Sequence, residues 1–447
     1  MANIIGEKKS LKAMTIGFLK QNTMLIALVA VMVLFEILMA RTTGEFNIFG
    51  MSLFSPSNIT NIINQNGYVV ILATGMLMCI LTGGNIDLSV GSIVCLVGAV
   101  CGTMIVNHGQ NIYLTIVVCL CVGTFIGAWH AFWIAYVHIP PFICTLSGML
   151  LWRGVSLIIL DGLTISPFPD NYLKLFSSYI GQADKTKDII GTMYDLAGEP
   201  YQDVIWQYSS KTLTFTLIVG AVCCAIMICA QLASRLNKQR KGYTVQPFTP
   251  FIIKQIVITV VVMAVAALLG LHNGVPVILI LLGVVVAAYS YYTQNTVPGR
   301  YLYAIGGNAK AAKLSGVNTD RVMFFAYTNM GFLSAVAALA CVARFNSAAP
   351  TAGQNYEMDA IGSCFIGGAS AYGGTGTVSG AVIGAIFMGV LNNGMSILGV
   401  DSNWQKAVKG LVLLLAVIFD VTSKGQTKVS RKGNIWKVLL KVLRLAK

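Results

Sequence analysis

The sequence predicts an all-α fold, a polytopic transmembrane helical bundle of about 10–12 spans. Of the 447 residues, 56% are hydrophobic and only 10% are charged, whereas ordinary soluble domains are about 25% charged. The mean hydropathy is +0.75, and apolar runs of about 17–25 residues, long enough to cross a bilayer, recur along the chain. So few charges cannot build a water-soluble surface, and we therefore expect lipid to cover much of the protein.

Twelve apolar runs are candidate spans. We place them at roughly 24–40, 66–82, 89–106, 112–136, 142–160, 212–234, 252–270, 276–293, 322–343, 358–371, 379–398 and 403–421. The first run is longer than the apolar region of a signal peptide, which is about 7–15 residues, so we expect it to be a retained first span. The runs at 66–82 and 358–371 are short or interrupted by glycine, and discontinuous or re-entrant helices are the alternative there.

The distribution of Lys and Arg predicts the orientation. With an even number of spans, 21 of the 30 basic residues fall in cytoplasmic segments and 6 in outside segments, as the positive-inside rule requires. Both termini are then cytoplasmic, and the tail lies on the anionic lipids of the inner leaflet. The predicted parts are a cytoplasmic N-terminus at 1–23, a transmembrane domain at 24–421, a basic amphipathic tail at 422–447, an extracytoplasmic loop at 161–211, and cytoplasmic loops at 235–254 and 297–321.

Two glycine-rich motifs indicate an internal repeat. TGGNIDLSVG at 82–91 and GGTGTVSG at 373–380 each join two candidate spans on the predicted cytoplasmic side. Each motif follows an inward-going span and precedes an outward-going one. We therefore expect two halves repeated in parallel orientation, a common plan among transporters.

Several function classes are excluded by motifs that the sequence lacks. It contains no GxxxxGK[ST] loop for nucleotide phosphates and no HExxH zinc motif. The four histidines are scattered, and the 11 cysteines all lie in apolar runs without paired CxxC motifs. We therefore predict no metal site, no cofactor and no catalytic residue. The net charge of +14 is accounted for by the predicted cytoplasmic segments, and nothing resembles a nucleic-acid-binding module.

Polar side chains in or beside the apolar runs are candidates for a solute path. They are Asn64, Gln65, Asn66, Asn85, Asp87, Ser89, Asn392 and Asn393. Structural alternatives stay open for them. Asp87 is also placed to cap a helix that begins at Leu88 or Ser89, 64–66 suits an interfacial turn, and the last two asparagines suit hydrogen bonds between helices.

Charged residues near the apolar runs lie at the predicted span ends, where long side chains reach the interface. They are Glu36, Asp87, Arg153, Glu357, Asp359, Lys406, Lys409 and Asp420. No series of charged residues crosses the bilayer centre, which disfavours a proton-driven carrier. A neutral solute, or energy supplied by another subunit, is favoured instead.

The segment 299–318, GRYLYAIGGNAKAAKLSGVN, is the most specific part of the sequence. Asn308 is placed to cap a short helix from Ala309 to Ser315, and Gly316 is placed to end it. A short amphipathic helix held between two spans suits docking to a soluble partner. A simple interfacial connector is the alternative.

This segment closely resembles the cytoplasmic signature of the permeases of monosaccharide ABC importers, the ribose, xylose and galactose group. Three further stretches resemble the same family: TGGNIDLSVGSIV at 82–94, MDAIGSCFIGGASAYGGTGTVSGAVIGA at 358–385 and DSNWQKAVKGLVLLLAVIFDV at 401–421. The resemblance covers most of 60–165 and 295–421. The chain looks like the longer, multiple-sugar or xylose-type branch, because the shorter members resemble it without most of 168–275.

The resemblance implies a transport subunit, not an enzyme, in the bacterial cytoplasmic membrane. It implies a homodimer that works with a cytoplasmic ATPase subunit bearing two nucleotide-binding cassettes and with an extracytoplasmic sugar-binding protein, which the outside loop is expected to help dock. The stretches 82–89 and 367–379 would lie beside a path between the two copies. The coupling helix to the ATPase would comprise Gly306, Gly307, Asn308, Ala309, Lys310, Ala311, Ala312, Leu314, Ser315 and Gly316.

Other cargoes and classes stay open at this point. The same architecture carrying nucleosides or branched-chain amino acids is the nearest alternative. A stand-alone secondary carrier is less favoured, because intramembrane charge is scarce and the segment 299–318 looks built for coupling. A membrane enzyme is disfavoured, because no catalytic constellation is found.

Overall fold

The computed structural model describes residues 23–43, 53–183, 187–194, 200–243 and 248–425. Within these ranges the protein forms fourteen α-helices. They are α1 (Thr23–Thr43), α2 (Pro56–Leu81), α3 (Val90–Gly102, continued by a π-helical turn, Thr103–Asn107), α4 (Ile112–Ala135), α5 (Pro141–Leu160), α6 (Asp170–Ser177), α7 (Ser210–Arg240), α8 (Phe248–Gly270), α9 (Val277–Asn295), α10 (Val297–Leu314), α11 (Thr319–Phe345), α12 (Tyr356–Ile366), α13 (Val378–Ile397) and α14 (Ser402–Gly425). The predicted N-terminal segment and basic tail lie outside the described residues, apart from Thr23 and the last turn of α14.

Short antiparallel strands accompany the helices. β1 (Tyr179–Ile180) pairs with β4 (Val275–Pro276), and β2 (Lys187–Tyr194) pairs with β3 (Pro200–Tyr208). The β2–β3 ribbon lies within the loop predicted at 161–211, which also contains helix α6. The β1–β4 pair joins this loop to the start of α9, so the loop is attached to the bundle at that point.

Ten of the described helices are long and apolar enough to cross a membrane, which confirms the predicted fold class at the lower end of the expected range. Two predicted spans are not among the ten. At 358–371, helix α12 has only 11 residues, whereas a span needs about 20. Helix α14, at 403–421, has 24 residues but carries several charged side chains.

The predicted span at 66–82 belongs to one continuous helix, α2, which begins at Pro56. The alternative of a broken helix is therefore wrong here. Ser55 Oγ accepts a hydrogen bond from Asn58 N–H (3.3 Å), and proline suits the first turn because its missing N–H would have no partner there. The polar residues 64–66 consequently lie inside the helix rather than in an interfacial turn.

Helices α2 and α11 form the centre of the bundle, and most of their side chains are buried. α11 packs along α4, where Gly123, Gly127 and Gly331 bring the two backbones together. A Cβ atom added to Gly331 would lie 2.3 Å from the carbonyl oxygen of Gly123. Small residues with this spacing are typical of close helix packing in membranes, so this contact requires glycine.

Helices α7 and α8 form a hairpin at the edge of the bundle, and most of their side chains are exposed. The exposed residues include large apolar ones such as Val222, Ile226 and Val260. Soluble monomers rarely expose contiguous apolar surface of this kind. The surface fits contact with lipid tails, in agreement with the predicted spans at 212–234 and 252–270.

Candidate coupling site and solute path

Helix α10 is kinked at Asn308, and the kink divides it into two halves. Asn308 has extended backbone angles (φ −162°, ψ 100°), and its Oδ1 accepts a hydrogen bond from Ala311 N–H (3.0 Å). At the far end, Gly316 has a positive φ of 85°, and Val317 N–H donates to the Ala312 carbonyl (3.1 Å). The predicted cap and stop of this short helix are therefore confirmed.

The second half of α10 points away from the bundle. Among its predicted docking residues Ala312 is buried and Gly306 is half-buried, whereas the others are exposed. Leu314 is 90% exposed, between Lys313 and Ser315. A capped helix with a free leucine and basic neighbours is suited to docking on a soluble protein, and this role stays a prediction.

The first half of α10 packs against two glycine-rich loops. Gly306 is at the closest approach, because a Cβ atom there would lie 1.9 Å from the Leu81 carbonyl oxygen and 2.3 Å from the Gly374 nitrogen. Gly374 N–H donates to the Leu81 carbonyl (3.1 Å), and Tyr303 Oη–H donates to the Gly376 carbonyl (3.1 Å). The contact is one of backbone with backbone, so position 306 accommodates only glycine.

The two glycine-rich motifs also contact each other. A Cβ atom on Gly84 would lie 2.0 Å from the Ala371 carbonyl oxygen, and one on Gly373 would lie 2.5 Å from Gly83 Cα. The motifs that the predicted repeat relates thus lie side by side, while the parallel direction of that repeat stays a prediction. We call the meeting point of 81–84, 306–307 and 371–376 the glycine junction.

Asp87 fixes the loop that leads from the glycine junction into α3. Its Oδ1 accepts hydrogen bonds from Ser89 N–H (2.9 Å) and from Ser89 Oγ–H (2.6 Å), and α3 begins at Val90, slightly later than predicted. The N-cap residue of α3 is Ser89, which makes no side-chain cap bond. Asp87 therefore fixes the turn before the helix, and its interpretation as the N-cap is wrong. Asn85 Nδ2–H donates to Thr82 Oγ1 (3.2 Å). These path candidates therefore hold the shape of the loop.

Asn64 and Gln65 line a cavity of about 80 Å³ below helix α6. Its wall also includes Tyr68, Ser177 and Tyr179, and Asn64 Nδ2–H donates to the Tyr179 Oη (2.9 Å). One water molecule needs about 10–15 Å³, so the cavity holds several. Amide, phenol and hydroxyl groups beside aromatic rings are the groups that suit a polyhydroxylated solute.

The remaining path candidates face other helices. Asn66 donates to the Ile62 carbonyl of its own helix (2.8 Å), away from the cavity. Asn393 and Asn58 exchange two hydrogen bonds of 2.9 Å between α13 and α2, and both are buried, which confirms the helix-pairing interpretation for Asn393. Asn392 Oδ1 is buried and has no hydrogen-bond partner within the described residues.

Most charged residues at the predicted span ends are held inside the protein, which corrects the expectation that they reach the interface. Asp359, 2% exposed, pairs with Lys409 of α14 at 3.0 Å. Tyr68, from the cavity wall, donates to the same carboxylate (3.4 Å). Lys406 is exposed, as expected. Three more of these charged side chains form hydrogen bonds with main-chain groups, those of Glu36, Arg153 and Asp420.

His130, which no sequence motif singles out, is buried where α4, α5 and the loop before α3 meet. Its Nε2 accepts a hydrogen bond from Trp152 Nε1–H (3.1 Å), and its Nδ1 lies 3.3 Å from Ser89 Oγ. The one available signal is a histidine inside an apolar run, where an imidazole without partners is costly. The partners themselves are too far away in the sequence to be found by spacing.

Comparison with known proteins identifies the family. The family profile described as "Branched-chain amino acid transport system / permease component" matches residues 58–180 and 205–417. The chain belongs to this family. It is 35% identical over 401 residues to the xylose transport system permease protein of Escherichia coli K12, covering 90% of this chain and 91% of that protein. No solved structure matches the chain.

Further relatives have the same character. A xylose transport system permease protein of Haemophilus influenzae is 34% identical over 90% of this chain and 96% of its own length. The ribose import permease protein of the same organism is 33% identical over 368 residues, 82% of this chain and 86% of that protein. The resemblance read from the four motifs is confirmed, and the chain is a permease subunit rather than an enzyme.

The matched residues include part of the stretch that we expect the shorter members of the family to lack. Of 168–275, the profile covers 168–180 and 205–275, and the absence of this stretch from shorter members stays a prediction. The stretch left unmatched between the two blocks is 181–204, which contains β2 and the start of β3. The α7–α8 hairpin lies inside the matched part of the chain, and most of the β2–β3 ribbon lies outside it.

Proposed function

We propose that this chain is the membrane-spanning permease of an ATP-binding-cassette importer that passes a monosaccharide into the cytoplasm. The observation that carries the proposal is the 35% identity to a xylose permease over 90% of the chain. Although the family description names branched-chain amino acids, the relatives described above are named for xylose and ribose. Both sugars are pentoses, so a pentose is the first cargo to test and a hexose the second.

In this proposal the subunit lies in a bacterial cytoplasmic membrane with both termini in the cytoplasm and pairs with a second copy of itself. A separate ATPase with two nucleotide-binding cassettes supplies the energy, and an extracytoplasmic sugar-binding protein delivers the cargo. The 447 residues contain no phosphate-binding loop, so this division of labour assigns nucleotide binding to the other subunit.

The two halves of α10 have different tasks. The exposed second half docks on the ATPase through Ala309, Lys310, Ala311 and Leu314. The first half, which contacts the two glycine-rich loops at Gly306, moves together with the second half and displaces those loops. Because the junction is made of backbone contacts without intervening side chains, it transmits displacement with little compliance.

The cavity below α6 is a segment of the sugar route in this proposal. Asn64, Gln65 and Tyr179 offer amide and phenol groups for sugar hydroxyls, and the Arg344 side chain, which also lines the cavity, is a further donor. Tyr68 joins the cavity wall to the Asp359 carboxylate (3.4 Å). A solute bound in the cavity would therefore act on α12 through this hydrogen bond, and the C-terminal end of α12 leads into the glycine junction.

Reconstitution tests the function. The chain is placed in proteoliposomes with its ATPase and its binding protein, and uptake of labelled xylose, ribose and galactose is measured with and without ATP. ATP-dependent sugar uptake is expected. Uptake without the ATPase would contradict the importer, and uptake of leucine or a nucleoside in place of sugar would correct the cargo.

A pair of substitutions tests the docking half of α10. Ala311→Glu puts a charge on the exposed face of the short helix and is expected to abolish co-purification of the ATPase. Tyr243→Glu, at an exposed position after α7 and in the other predicted cytoplasmic loop, is the matched control. If both variants bind the ATPase equally well, the second half of α10 is not its docking site.

The outside loop is proposed to receive the binding protein. Tyr172 of α6 is buried and its hydroxyl donates to the Leu339 carbonyl (2.9 Å), so α6 must be kept in any deletion. Since Lys187 and Tyr208 are paired across the ribbon, residues 188–207 can be replaced by a short glycine linker. Binding-protein stimulation of ATP hydrolysis is expected to fall several-fold, while basal hydrolysis persists; unchanged stimulation would refute the docking role.

A further inference from the structure

We propose that His130 is a positioning residue that fastens the loop at 82–89 to helices α4 and α5, so that movement of the glycine junction is passed to these helices. The inference rests on the proposed importer function and adds a residue to its coupling route. It is carried by a continuous series of hydrogen bonds that runs from the half-buried Trp152 through the buried side chains of His130, Ser89 and Asp87.

The hydrogen bonds fix the tautomer of His130. An indole N–H can only donate, so His130 Nε2, 3.1 Å from Trp152 Nε1, must be the acceptor and carries no proton. A neutral imidazole then has its proton on Nδ1, which lies 3.3 Å from Ser89 Oγ. The ring therefore donates to Ser89, and a ring protonated on both nitrogens would set two donors against each other at Trp152.

The series continues in one direction to the carboxylate. Ser89 Oγ, accepting from His130, has its own hydrogen free to donate to Asp87 Oδ1 (2.6 Å). The same oxygen accepts Ser89 N–H (2.9 Å). Each member thus uses its one donor on the next, and bonds aligned in this way strengthen one another in a dry interior. Trp152 orients His130, His130 orients Ser89, and Ser89 holds Asp87.

Steric contact closes the site around the ring. A Cβ atom on Gly148 of α5 would lie 2.0 Å from His130 Nε2, so the α5 backbone passes directly against the imidazole. The Cys144 thiol of the same helix lies 3.8 Å from the His130 carbonyl oxygen. The ring is therefore held in one orientation between α4 and α5, and its Nδ1 atom holds the loop through Ser89.

The opposite end of the loop lies in the glycine junction. Leu81 and Gly84 contact the 371–376 loop through their backbones, and Leu81 also contacts Gly306 of α10. The loop is therefore held at one end by the coupling helix and at the other by His130. If the second attachment is lost, the loop can follow α10 while α4 and α5 stay in place, and ATP would be hydrolysed without sugar movement.

The test compares two identical substitutions in the complete complex. Trp152→Phe removes the indole N–H that fixes the His130 tautomer. Trp133→Phe, on α4, is the matched change, because the rings of Trp133 and Trp152 both contact Trp129. It removes an Nε1–H that is buried but has no hydrogen-bond partner within the described residues. Both are measured in proteoliposomes as sugar transported per ATP hydrolysed, with binding-protein-stimulated ATP hydrolysis as the second readout.

Loss of one buried hydrogen bond corresponds to roughly a five- to tenfold change, so Trp152→Phe is expected to lower the transport ratio by about that factor while stimulated hydrolysis remains. Trp133→Phe should keep the wild-type ratio. Ser89→Ala combined with Trp152→Phe should lower it little further than either alone, because both break one series. Equal ratios in the two tryptophan variants, or parallel loss of hydrolysis and transport, would overturn the proposal. A wild-type complex that moves no sugar would instead refute the importer itself.

Discussion

The glycine junction and the α7–α8 hairpin are held together in different ways. At the junction, backbones from three distant segments touch, and a side chain at Gly306 or Gly84 would collide with main-chain atoms. In the hairpin, most side chains face outward. The described contacts between its helices include an amide pair, Gln255 with Gln231 at 2.6 Å, and the Arg235 guanidinium over the Phe251 ring at 5.0 Å. Lipid tails are as apolar as leucine, so the hairpin tolerates exchange among apolar residues, whereas the junction does not.

The largest effect on transport is expected from adding one methyl group at the junction. Gly306→Ala places a Cβ atom 1.9 Å from the Leu81 carbonyl oxygen, and relief of such overpacking typically costs about 1–3 kcal/mol. Sugar transport by the reconstituted complex is expected to fall about 10- to 100-fold.

Gly307→Ala is the matched control for this prediction. A Cβ atom at Gly307 meets nothing within 4 Å, and alanine favours a helix over glycine. Transport is expected to be unchanged unless the ATPase itself packs at this position, in which case ATPase binding falls with it. Equal transport by both alanine variants would show that the junction is not tight.

The next effect concerns the ion pair between Asp359 and Lys409. Lys409→Met leaves a carboxylate that is 2% exposed without its counter-ion, and the free energy of unfolding in detergent is expected to drop by about 3 kcal/mol. Asp359→Asn should cost less, because Lys409 is 22% exposed and reaches water. Lys406→Met, at an exposed position of the same helix, should change stability by less than about 0.5 kcal/mol. A similar cost for both lysine variants would contradict the buried pair.

A smaller effect is expected at the asparagine pair between α2 and α13. Asn393→Ala leaves the Asn58 amide buried without its two 2.9 Å bonds, which should cost about 1–2 kcal/mol. Replacing both asparagines by alanine should cost less than twice the single variant, since no polar group is then stranded. Thermal unfolding of the purified protein measures this, and strict additivity would argue against the pair.

The smallest predicted effect on stability comes from comparing the same change, isoleucine to valine, at the centre of the bundle and at its edge. Ile71→Val in α2, where the side chain is buried, should destabilise by about 0.5–1.5 kcal/mol. Ile226→Val in α7, where the side chain is 63% exposed, should be neutral within about 0.5 kcal/mol. Equal costs in chemical denaturation would mean that the outer face of the hairpin is covered by protein, for example a second copy of the chain.

The short helix of α10 could be predicted in detail because its signals are local. Asn308, Ala311 and Gly316 lie within one turn or two of one another, and a cap or stop depends only on such neighbours. The start of α2 is harder to predict from the sequence. Its first turns are rich in asparagine, and their burial depends on Asn393, which belongs to a helix near the other end of the chain.

The candidate site shows the same division. Asn64 and Gln65 were found as polar residues beside an apolar run, and the structure places them together at a cavity. Asn66, their neighbour, faces another helix. Which side of a helix is lined by protein, lipid or a cavity depends on its neighbours, so a run of three polar letters cannot separate path residues from packing residues.

Composition and local spacing suffice for the membrane class, most of the spans and the cap and stop of α10, because hydropathy and capping act within a few residues of chain. The family came from the resemblance of four sequence stretches to known permeases. Packing in three dimensions was needed for the glycine junction, the Asp359–Lys409 pair and the series from Trp152 to Asp87. Each of these joins groups that are distant in sequence and whose chemistry is ordinary by itself. Their roles arise only where buried polar groups must find partners that water would otherwise supply.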